Sequence, residues 1–73
     1  MNNNTRHYYS VSYYWRIFNG DTTMKIKYRD LVQLMILHLS ISETKAKALL
    51  SKAVRENILH KDEIGWSLGF VLI

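Results

Sequence analysis

The sequence predicts a small α+β domain of order ββααβ, in which a three-stranded antiparallel sheet carries two helices on one face. Three observations predict it. Asn19-Gly20 is flanked by alternating apolar residues, the apolar period becomes helical from Asp30, and alternation returns from Ile64.

Asn19-Gly20 suits the two-residue loop of a hairpin whose central positions both need positive φ. Counting outward sets Trp15 opposite Met24 and Tyr13 opposite Ile26, so Val11, Tyr13, Trp15, Ile17, Met24, Ile26 and Tyr28 share one side. That side is the expected core. The other side carries Tyr8, Tyr14, Arg16 and Phe18 with Lys25 and Lys27.

From Asp30, a candidate N-cap, the run Leu31, Val32, Leu34, Met35, Ile36, Leu37 and Leu39 suits a short helix buried nearly all round. Ser40-Ile41-Ser42-Glu43 then starts a second helix, capped by Ser40 with Glu43 three residues on, or by Ser42. Ala46, Leu49, Leu50, Ala53 and Val54 form its apolar stripe, and Asn57 is placed to end it. After a turn at Asp62-Glu63, the alternation of Ile64, Trp66, Leu68, Phe70 and Leu72 reads as the third strand.

Seventy-three residues allow one core, in a size range where stability is typically about 3–5 kcal/mol. Residues 1–6 read as a disordered polar leader and 7–73 as a single domain, since proline is absent and no linker composition occurs. With no cysteine there is no disulfide framework or thiolate metal site, which fits a reducing, cytoplasmic setting. No stretch approaches the roughly 20 apolar residues of a spanning helix, so no membrane role is expected.

Ten Lys and Arg against six Asp and Glu give a formal net charge of +4, which favours polyanionic partners. Placement matters more than the total. Opposite the apolar stripe of the second helix lie Thr44, Lys45, Lys47, Ser51, Lys52 and Arg55, a face able to neutralise phosphates and to offer donors to base edges. An ordinary solvated helix face has the same composition.

Two other surfaces compete with it. The rings and cations Tyr8, Tyr14, Arg16, Phe18, Lys25 and Lys27 suit a protein interface or single-strand stacking, and equally plain cross-strand packing. Phe70, Val71, Leu72 and Ile73 are apolar on both faces of the expected strand, which fits self-association in a homodimer or burial within the chain.

Catalysis finds no constellation. His7, His38 and His60 stand apart from any nucleophile or orienting carboxylate, no spacing suits a metal or another cofactor, and no glycine-rich phosphate loop exists. A non-enzymatic binding role is expected.

The run Tyr28-Arg29-Asp30-Leu31-Val32-Gln33-Leu34, then Leu39-Ser40-Ile41-Ser42-Glu43-Thr44, Leu49-Leu50, Ala53, Asn57-Ile58-Leu59 and Trp66-Ser67-Leu68, resembles the helix-turn-helix and wing of winged-helix DNA-binding domains. The resemblance implies a transcriptional regulator of phage or mobile-element type that binds duplex DNA. It turns Thr44, Lys45, Lys47, Ala48, Ser51 and Lys52 toward the groove, with Lys61 at the start of the wing. That family carries a further helix before the pair, where the reading here places a hairpin, and more usually a glycine in the turn held here by His38-Leu39-Ser40. The alternative function is an inhibitor or adaptor that binds a host protein complex through the aromatic hairpin face.

Overall fold

A computed structural model describes residues 11–70. The expected leader, Tyr8, and Val71, Leu72 and Ile73 lie outside them. The first element among the described residues is a short helix, α1 (Tyr13–Ile17), where the first strand was expected. Tyr14 and Phe18 are an i,i+4 pair, and the helix buries both completely, with Tyr13 beside them. A hairpin would leave those two rings on its outer side. Full burial of a large apolar side chain is worth roughly 1.5–3 kcal/mol, so the helical arrangement gains where the strand would not.

Asn19 and Gly20 do have positive φ, at 56° and 67°, as the hairpin reading requires. Here they close the helix instead. The Asn19 N–H donates to the Arg16 carbonyl at 3.0 Å and the Gly20 N–H to the Trp15 carbonyl at 2.9 Å, the paired bonds of a Schellman cap. Asp21 then accepts from both the N–H and the hydroxyl of Thr23, at 2.9 and 2.6 Å, and turns the chain.

The expected second strand is reduced to one residue. Ile26 forms an isolated antiparallel bridge with Trp66, donating its N–H to the Trp66 carbonyl at 2.8 Å and accepting in return at 2.7 Å. A β-carbon at Gly65 would lie 3.0 Å from the Ile26 carbonyl oxygen, so the glycine permits this approach. Among the described residues the sheet is therefore two-stranded, not three-stranded. Strands β1 (Leu59–Lys61) and β2 (Trp66–Leu68) pair antiparallel, with Leu59 opposite Leu68 and Lys61 opposite Trp66.

The helix α2 (Tyr28–Leu39) starts two residues before Asp30, with Lys27 at the cap. Asp30 sits in the first turn, where its charge meets the positive end of the helix. Burial is a stripe of Leu31, Val32 and Met35 rather than all round, since Leu37 is 74% exposed. The helix ends at Ser40 in left-handed conformation (φ 55°, ψ 45°). Ser42, not Ser40, caps α3 (Glu43–Arg55), its Oγ accepting the Lys45 N–H at 3.1 Å.

Asn57, with φ 62°, closes α3 as Asn19 closes α1: its N–H donates to the Val54 carbonyl at 3.0 Å, and that of Ile58 to Ala53 at 2.9 Å. The stripe of Ala46, Leu50 and Ala53 is buried as its spacing predicts. α3 packs against both α2 and β1. The core joins these residues to Tyr13, Tyr14 and Phe18, to Leu31, Val32 and Met35, and to Leu59, Trp66 and Leu68. The described chain is thus a small α+β fold of three helices and a two-stranded sheet. None of its described helices is long and apolar enough to cross a membrane.

Candidate nucleic-acid interface

Burying Ala46, Leu50 and Ala53 turns the opposite side of α3 outward, and Thr44, Lys45, Lys47, Ala48, Ser51, Lys52 and Arg55 are all exposed. The tertiary structure divides this face. Ser51 and Arg55 join Lys61 of β1 in lining an open cleft of about 500 Å³, completed by Tyr28, Val54 and Trp66. Lys47 lies in a neighbouring depression of about 210 Å³ with Tyr28, Arg29 and Gln33. Thr44, Lys45 and Lys52 line neither hollow.

The cations differ in how much charge they offer. Lys47 Nζ lies 2.9 Å from Glu43 Oε2, one helical turn away, and Glu43 holds that ammonium above its ordinary pKa by hydrogen bond and charge. Lys45, Lys52, Arg55 and Lys61 enter no ion pair among the described residues. Lys61 Nζ stands 5.7 Å from the centre of the Trp66 ring, a cation–π contact at the cleft wall. Tyr28 stacks on the same indole with ring centres 5.1 Å apart and planes tilted by 34°.

The hairpin that carries Lys61 is fixed at its loop. Asp62 Oδ1 accepts the N–H groups of Ile64 at 2.8 Å and Gly65 at 3.0 Å, while its other oxygen pairs with Lys25 Nζ. The Lys25 ammonium first, and then the two amides, hold the Asp62 carboxyl down to a pKa of about 2. Lys25, expected on an outer hairpin face, thus ties the segment after α1 to the β1–β2 loop.

The expected ring-and-cation face does not form. Tyr14 and Phe18 are core residues with no exposed surface, because residues 13–17 are helical. Burial pushes the Tyr14 hydroxyl pKa upward, with Tyr13 adding to it. Arg16 and Lys27 remain exposed, and Tyr8 is outside the described residues. At the carboxyl end, Phe70 is half-buried and packs on Trp15, with ring centres 6.0 Å apart.

Tyr28 is expected on the core side of the hairpin, and neither it nor Trp66 is among the expected site residues. Tyr28 is 38% exposed. Its position three and four residues ahead of Leu31 and Val32, at the first turn of a helix, is the signal that sets it at the edge of the buried stripe. No group of three or more potential metal ligands occurs among the described residues. Comparison of the chain with family models, curated proteins and solved structures finds no match.

Proposed function

We propose that this chain is a winged-helix-like domain that binds duplex DNA, laying α3 in the major groove with the β1–β2 hairpin beside it, in the manner of a small transcriptional regulator. The observation that carries the reading is the convergence of Ser51 and Arg55 of α3 with Lys61 of the hairpin on one cleft. Two consecutive elements, the end of α3 and strand β1, bring Arg55 and Lys61 to one cleft, and no carboxylate lines it. Such convergence suits a phosphate backbone.

Element order supports the same reading. A helix at Tyr13–Ile17 precedes the α2–α3 pair, as winged-helix domains require, and Ile26 bridges to the hairpin between them. Ser40 takes the left-handed conformation that the turn glycine serves in that family. Thirteen residues give α3 a length of about 20 Å, and an α-helix fits a major groove about 12 Å wide.

The test is fluorescence anisotropy with a mixed-sequence duplex at low salt. Lys45→Glu with Lys52→Glu removes two exposed, unpaired cations outside the core, so the fold should persist. The wild-type chain should bind in the micromolar range expected of non-specific contact, and the double variant should bind at least about tenfold more weakly. Absence of duplex binding by the wild-type chain, or equal binding by the double variant, would overturn the reading.

A further inference from the structure

We infer that the cleft between α3 and the hairpin is a nucleotide pocket, which takes one unpaired base and its phosphate at an end or interruption of duplex DNA. The inference rests on the proposed function for the duplex that brings the base to it. Its own support is the chemistry of the lining. Tyr28, 38% exposed, lines the cleft with its ring packed at 34° against the Trp66 indole, so aromatic surface is presented there with a second ring bracing it. Arg55 and Lys61 supply charge for a phosphate, and the Ser51 hydroxyl can both donate and accept toward a base edge.

An intact duplex has no use for such a platform, because its bases show only their edges in the grooves. Stacking on an aromatic side chain requires a base face, which is available where a nucleotide is unpaired or flipped out. The volume of about 500 Å³ falls in the range of roughly 300–1,000 Å³ usual for clefts that hold small ligands. The neighbouring depression suits an anion less well, since its lysine is already paired with Glu43.

The experiment compares anisotropy titrations of wild-type protein with three probes: a blunt duplex, the same duplex with a three-nucleotide single-stranded extension, and that extension made abasic. The extension should tighten binding about five- to tenfold, and removal of its bases should cancel the gain. Tyr28→Ala should bring the ratio of extended to blunt affinity close to one, and Tyr28→Phe should keep it. Equal affinity for all three probes overturns the pocket while leaving the helix face intact. If no probe binds, the duplex reading fails, and the pocket is judged by titrating a thymidylate dinucleotide into wild-type protein. A saturable shift of the Trp66 indole signal, with that of Trp15 unmoved, then supports it, and no shift overturns it.

Discussion

Ser40 holds a left-handed backbone with an exposed side chain at the turn between α2 and α3. For an L-residue that conformation costs roughly 1–2 kcal/mol, and a glycine there gives back part of the gain through its freer unfolded chain. Ser40→Gly should therefore raise unfolding stability in urea by about 0.5–1 kcal/mol. A loss of stability would show that the serine has a role the turn does not reveal. Asp62 gives a second prediction at this scale. Because its folded pKa lies below the ordinary carboxylate value, its contribution is present above about pH 4 and is lost as pH falls through about 2. The amide signals of Ile64 and Gly65 should titrate with a midpoint well under 3, and Asp62→Asn should abolish that step. A midpoint near 4 would mean that Lys25 and the two amides do not hold the carboxylate.

Elements divide into those whose period is unambiguous and those read from a turn. The stripe of Ala46, Leu50 and Ala53 defines α3 in the sequence as clearly as in the structure, and Ser42 and Asn57 mark its ends. Asn19-Gly20 was equally informative about φ and misleading about topology, because two successive positive-φ residues can join strands or close a helix. Aromatic residues, which favour strands, point to a hairpin, whereas the i,i+4 pair Tyr14 and Phe18 carries the helical period. The cap can be tested directly. A β-carbon at Gly20 would lie 2.9 Å from the Trp15 ring, at a φ of +67° that L-residues adopt only with strain. Gly20→Ala should cost at least about 1–2 kcal/mol, and thermal melts that match wild type would contradict the Schellman cap.

At the scale of the molecule, the exposed face of α3 was legible because its exposure follows from the buried stripe, and all of Thr44, Lys45, Lys47, Ser51, Lys52 and Arg55 reach solvent. Which of them act together was not legible. That depends on how the hairpin folds back to set Lys61 beside Ser51 and Arg55, and on the Ile26 bridge that holds Trp66 in place. Glu43 draws Lys47 into an i,i+4 pair, so on α3 and the hairpin the four cations that enter no ion pair among the described residues are Lys45, Lys52, Arg55 and Lys61. The most direct test of the account is the salt dependence of duplex affinity. Four phosphate contacts predict a slope of log K against log salt of about −3 to −4, and Arg55→Ala should make it shallower by about one. A slope near zero, or one that Arg55→Ala leaves unchanged, would contradict the claim that this face meets a phosphate backbone.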